Sequence, residues 1–323
     1  MSASSDIAGA ARGYAKARKA LRFFLRCLVV ALGLLALYYI ELVTVQRDFF
    51  DERNGELIDA KKEQAEFVGT RSLQNVTLTS TSGLVAELRV LRPAVAAASA
   101  RPVVLMIGGQ QTGKHAVDLV SDPGNLVFAA IDYPYHGPTK TKGFWQTASA
   151  IPHVQRGALD TPPALQLALD WLVKQPWIDP GRIELIGVSV GVPFAAAAGA
   201  IDRRVSRVWL VHGAADNLLW TDFALTKHIE NDSARRVVAK LALLLSYGAS
   251  FETQDWMAEI VPRPIIVISS RNDDRVPAGG ALADAASNHA TEIIWTEGRH
   301  VQPSRQDVLA ELLEIVHERT DVR

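Results

Sequence analysis

Gly187-Val188-Ser189-Val190-Gly191 constrains this chain more than any other stretch. It follows Arg182-Ile183-Glu184-Leu185-Ile186, a short apolar run that reads as a buried strand. It precedes Val192-Pro193-Phe194-Ala195-Ala196-Ala197-Ala198, which reads as the first turns of a helix. A strand that enters a helix through Gly-x-Ser-x-Gly turns sharply and holds its serine exposed at the tip. A serine hydroxyl is a weak nucleophile until a base takes its proton, so such a serine must stand within reach of one. The flanking glycines remove side chains that would collide with the strand and the helix. The N–H of Val190, next in the chain, is then a candidate oxyanion donor.

A nucleophilic serine needs a base, and the base needs an orienting acid. Of the eight histidines, His300 follows the last apolar strand, in Glu297-Gly298-Arg299-His300. Asp273 follows the strand before it, in Ser269-Ser270-Arg271-Asn272-Asp273-Asp274-Arg275-Val276-Pro277. Open α/β sheets carry their chemistry at the carboxyl ends of strands. The chain order Ser189, Asp273, His300 is the order this kind of turn calls for. Asp274 is the neighbouring alternative acid, and Asp216 a further one. His212, in Val211-His212-Gly213, ends another strand and is a pocket candidate.

The rest of the chain supplies the sheet. Asn75–Ser80 and Leu84–Leu91 alternate about Thr81-Ser82-Gly83 and read as an antiparallel hairpin. Strands are then expected at 103–107, 126–131, 183–187, 208–211, 265–269 and 292–295, each short and apolar as in a parallel sheet buried on both faces. Helices are expected at 161–175, with Pro162 and Pro163 in the first turn, and at about 304–317, with Ser304 and Asp307 as a capping pair. Residues 215–261 are too long for a loop and read as a helical cap inserted over the sheet. The domain is expected over 73–323.

The N-terminus has a different character. Residues 1–26 carry Arg12, Lys16, Arg18, Lys19, Arg22 and Arg26 against Asp6 alone, and residues 27–40 are uncharged and apolar. Residues 23–45 read as one transmembrane anchor, which needs about 20 apolar residues. The positive flank puts a basic tail, residues 1–22, in the cytoplasm and the domain on the far side. Secretion after signal cleavage is the alternative, although no small-residue cleavage pattern follows the apolar run. Residues 46–72 are polar, are broken by Gly55, and read as a short helix or linker. Net charge is −1, with no basic face beyond the N-terminus, so nucleic acid is not an expected partner. The single cysteine, Cys27, excludes an internal disulfide.

Several segments together are similar to the α/β-hydrolase superfamily, in its dienelactone hydrolase and prolyl-oligopeptidase-like branch. They are Asp179-Pro180-Gly181-Arg182-Ile183 running into the serine turn, Asp273-Asp274-Arg275-Val276-Pro277, and Asp132-Tyr133-Pro134-Tyr135-His136-Gly137. The resemblance implies a mostly parallel sheet with an N-terminal hairpin and a Ser189–His300–Asp273 triad, with Asp273 preferred over Asp274. It also implies a first oxyanion donor after the third strand of the family fold, where Ile107-Gly108-Gly109-Gln110-Gln111 stands. Gln110 N–H is the expected donor beside Val190, with Gly109 as fallback. The implied activity is a serine hydrolase that cleaves a small acyl substrate, foremost a carboxylic ester, with no cofactor or metal. A peptidase or amidase and a catalytically silent binding domain are the alternatives on the same fold. A remote one is a nucleotide triphosphatase, because Gly108 to Lys114 nearly spells a phosphate-binding loop before His115 replaces its Ser/Thr.

Overall fold

The computed structural model describes residues 3–43, 47–94, 99–109 and 112–320. The chain divides into two units, Met1–Val45 and Gln46–Arg323. The first is a single helix, α1 (Ala3–Val43). Its stretch Arg18–Tyr38 has mean hydropathy 2.2 and buries none of its surface. It is long and apolar enough to cross a bilayer, a property that membrane anchors and signal sequences share.

The second unit opens with α2 (Arg47–Asn54), β1 (Leu57–Lys62), β2 (Glu66–Val68), β3 (Arg71–Ser80) and β4 (Val85–Pro93). It continues with β5 (Arg101–Ile107), β6 (Val127–Ile131), α3 (Gly143–Leu172), β7 (Ile178–Val188), α4 (Val192–Ile201) and β8 (Arg207–Val211). Then come α5 (Asn217–Leu225), α6 (Asp232–Leu245), α7 (Thr253–Ile260), β9 (Ile265–Ser270), α8 (Leu282–Ala285), β10 (Glu292–Thr296) and α9 (Gln306–Thr320). Among the described residues, ten strands form one sheet of order β1-β3-β4-β6-β5-β7-β8-β9-β10, with β2 paired to β3. From β6 to β10 neighbouring strands are parallel, and β1, β3 and β4 join antiparallel. The expected hairpin is β3–β4.

Alternation along the strands sorts the core. Residues such as Val103, Leu105, Leu185 and Val208 are fully buried, on the face that α4 packs against through Gly187 and Gly199. The opposite side chains, among them Met106, Phe128, Ile186, Val211 and Ile268, share a cluster with α9 through Leu312, Leu313 and Val316. A seven-residue 3₁₀ turn, Gly113–Leu119, lies beside α9 on that second face.

Three sequence expectations change. Residues 46–72 are not a linker: they hold α2, β1, β2 and the start of β3. Their polar composition hides a few strong anchors. Phe50 is fully buried against Phe251 and Trp256, and Arg53 forks onto Asp160 of α3 at 2.7 and 2.8 Å. Truncating Phe50 to alanine is therefore expected to cost about 3–5 kcal/mol, read as a lower midpoint in chemical denaturation. The helix expected from Thr161 starts at Gly143 and runs through Pro152, Pro162 and Pro163. An interior proline opposes a helix by about 3 kcal/mol, and burial of Thr161, Ala164, Leu165 and Leu167 outweighs it. The last helix begins at Gln306, so Ser304 lies outside it, and Leu309 N–H donates to Arg305 O instead. The insertion at 215–261 is helical as expected, with α5 packed on α6, while α7 packs on α4.

Candidate active site

The sheet reverses its strand order between β5 and β7, because β6 lies on one side of β5 and β7 on the other. Such a switch point leaves a crevice at the carboxyl ends of the two strands. Ser189 follows β7 there, at a φ of 55° that a side chain adopts only under constraint. The constraint is steric. A Cβ on Gly187 would stand 2.6 Å from the Ala195 methyl, and one on Gly191 would run into the Ile107 carbonyl. Only glycines let α4 start so close to the sheet.

The loop after β9 brings Asp273. Its Oδ1 accepts the N–H groups of Arg275 at 2.8 Å and Val276 at 2.9 Å, which aims the carboxylate. The loop after β10 brings His300, which is 1% exposed. His300 Nδ1 lies 2.8 Å from Asp273 Oδ2, and Nε2 lies 2.8 Å from Ser189 Oγ. With a carboxylate against Nδ1, the ring proton belongs there, and Nε2 is left to accept the serine proton. Burial works against the Asp273 charge, yet the His300 hydrogen bond and charge and the two backbone N–H groups hold its carboxyl below the usual range.

Asp274 points elsewhere. It pairs with Arg305 at 2.7 and 2.9 Å, and that pairing holds its carboxyl well below the usual range despite some burial. Arg305 also donates to the His300 carbonyl at 2.7 Å, so Asp274 acts on the histidine loop and not on the imidazole. Asp216 caps α5 by accepting from Leu219 N–H. The imidazole Nδ1 of His300 is taken by Asp273 and by neither backup acid.

His212 stands behind the triad, and it lines neither of the two cavities beside Ser189. It is 1% exposed, has a φ of 53°, and accepts the Val301 N–H on Nδ1 at 2.9 Å. Its ring centroid is 5.6 Å from that of His300. Burial, then the neighbouring His300 charge, push its pKa down to about 4, with Asp273 pulling the other way. A neutral His212 is the acceptor that the His300 loop requires.

Val190, the second expected oxyanion donor, lines both cavities. Gln110 lies outside the described residues. Gly109, its fallback, lines the inner cavity, and its carbonyl accepts from the N–H and hydroxyl of Thr112 at 3.0 Å. Sequence reasoning missed Tyr133, whose hydroxyl donates to Gly108 O at 2.7 Å and so fixes the start of this loop. Burial pushes its phenol pKa up, which keeps it a donor. The aromatic in Asp132-Tyr133-Pro134 was the available signal.

Donor atoms of His212, Asp273 and His300 lie within 4.8 Å of one another, which is compact enough for a metal. His300 spends both nitrogens on Asp273 and Ser189, and His212 Nδ1 is taken by Val301. Lys114 is no phosphate ligand in this arrangement. It bridges Glu87 at 3.2 Å and Asp132 at 3.4 Å.

No family model matches the sequence, and no curated relative matches it. Solved structures do match. An acetyl xylan esterase from Paenibacillus sp. R4 aligns with TM-score 0.55 at 18% identity, over 84% of this chain and 94% of that one. A glucuronoyl esterase from Solibacter usitatus aligns with TM-score 0.52 at 15% identity, over 87% and 93%. Acetyl xylan esterase 1 from Thermoanaerobacterium sp. JW/SL YS485 gives TM-score 0.52 at 14% identity, over 87% and 93%. The chain has the α/β-hydrolase fold. At these identities the likeness is to the fold as a whole. In this α/β-hydrolase domain the cap is the pair α5 and α6, tied to the acid loop by Trp220 Nε1 donating to Arg275 O at 3.0 Å.

Proposed function

We propose that the domain is a serine hydrolase that cleaves carboxylic esters through an acyl-enzyme. The observation that carries this is the unbroken chain Ser189 Oγ, His300 Nε2, His300 Nδ1, Asp273 Oδ2, with 2.8 Å at both hydrogen bonds. In the proposed reaction His300 takes the Ser189 proton as Oγ attacks the ester carbonyl. Asp273 holds the ring in the right tautomer and stabilises its cation. Backbone N–H groups at Val190 and in the loop around Gln110 receive the oxyanion. His300 then protonates the departing alcohol, and water, activated in the same way, releases the acid. The structural neighbours named above are esterases, which favours esters over amides.

A fluorophosphonate probe tests the nucleophile. Labelling of the parent that disappears in Ser189→Ala supports the reading, and a folded parent that stays unlabelled sinks it. A panel of p-nitrophenyl esters beside an aminopeptidase-type anilide tests the bond, since turnover of the amide alone would replace esterase by amidase.

The proposal extends to location: α1 stays in the chain as a membrane anchor, with residues 1–22 in the cytoplasm and the domain across the bilayer. Its support is the Lys/Arg cluster on one flank of the apolar stretch. With the domain periplasmic or extracellular, protease added to cells stripped of any outer envelope, the plasma membrane intact, is expected to digest it. A protected domain, or a mature chain that begins after residue 45, would refute this.

A further inference from the structure

We propose that the ester carries an unbranched aliphatic acyl chain, and that this chain lies between the sheet and α9; this rests on the esterase reading above. Two cavities meet at Ser189. The first, of about 220 Å³, runs from Ser189, Val190 and His300 along the second face of the sheet. Its floor includes Met106, Ile186, Val188 and Ile268, and its roof includes Leu312 and Leu313 of α9. It exists because one helix and the short 3₁₀ turn Gly113–Leu119 share the cover of that face. Among the described residues the ionisable side chains on its wall are His300 and Arg275, and Arg275 also borders the second cavity.

The second cavity, of about 570 Å³, lies under the cap. Polar groups break its apolar wall: Asn217 and Lys227 from the cap side, and Asp274 with Arg275 from the acid loop. After the first chemical step the acyl group stays on Ser189, while the alcohol leaves and water takes its place. The wider opening, with Lys227 and Asp274 on its wall, suits what must exchange. The narrower one, between the aliphatic side chains of the sheet and those of α9, suits what must stay, and an acyl chain gains there by desolvating each methylene.

The test uses the full-length protein and p-nitrophenyl esters from acetate to dodecanoate, with the leaving group constant. kcat/KM is expected to rise about fourfold per methylene until the cavity is full, then to fall. A parallel series of acetate esters with lengthening alcohols is expected to show no such climb. Leu312→Trp, from the roof, should lower the ratio of octanoate to acetate turnover at least tenfold. Ala116→Leu, from the 3₁₀ turn, does the same from another wall and stands in if the first variant does not fold. Leu312→Ala should move the optimum to longer chains. Ser189 labelling with acetate turnover but a flat acyl series, or a climb in the alcohol series alone, would overturn this inference and leave the esterase reading intact. No labelling and no turnover of any ester would overturn the esterase reading itself.

Discussion

Ser189→Ala is expected to lower kcat on any ester substrate by about 10⁶-fold, the scale seen when a triad serine or histidine is removed elsewhere. Among the described residues, Ser189 Oγ is the hydroxyl that stands against His300 Nε2. The tip of the turn holds one hydroxyl, set 2.8 Å from the base by a backbone at φ 55°. Alanine fits the same backbone and leaves the oxyanion donors in place. A residual rate of about 10³–10⁴ over water is therefore expected to survive. Single-turnover kinetics with an activated ester check this: the parent shows a burst of p-nitrophenol from acylation, and the variant shows none. A variant with more than a hundredth of the parent rate would mean that Ser189 is not the nucleophile.

The second large effect separates two adjacent carboxylates. Asp273→Asn is expected to cost about 10⁴-fold in kcat. An amide at Nδ1 can donate a proton, so it favours the tautomer with Nε2 protonated, and Nε2 then cannot accept from Ser189. Asp274→Asn is expected to stay within about tenfold of the parent, because what it weakens is an exposed pairing with Arg305. That pairing supports the His300 loop from one side, while His212 supports it from the other through Val301. Steady-state kcat for the two variants, with thermal melts as a folding control, gives the comparison. Equal losses would mean that the acid is not fixed at 273.

The sequence made the local signals readable and left the distant ones hidden. The apolar strands at 103–107, 183–187, 208–211 and 265–269 announce themselves, because strands buried on both faces are mostly apolar, with Glu184 and Ser269 as the polar exceptions. The turn at Ser189 is spelled by its glycines, and the triad follows from residues placed at successive strand ends. Choosing Asp273 over Asp274 needed more than pattern. The choice is made by a turn in which Oδ1 caps two N–H groups, and by an arginine 31 residues away that claims the other carboxylate. The docking of 46–72 was hidden because one phenylalanine and one arginine carry it within a polar run. The inner cavity was hidden because it is a gap between α9 and a 3₁₀ turn, and periodicity records what touches, not what is left empty.

Ile107 and Gly187 are register partners in adjacent parallel strands. The loop expected to hold the oxyanion and the turn that carries Ser189 thus leave the sheet at one level, from strands joined by main-chain hydrogen bonds. No side chain sets that spacing, so no drift of side chains can spoil it. The cap pair α5 and α6 has no strand of its own and can be rebuilt while the ladder stays as it is. A lineage descended from this chain could therefore rewrite the cap and still inherit the placement of Ser189, Asp273 and His300 unaltered.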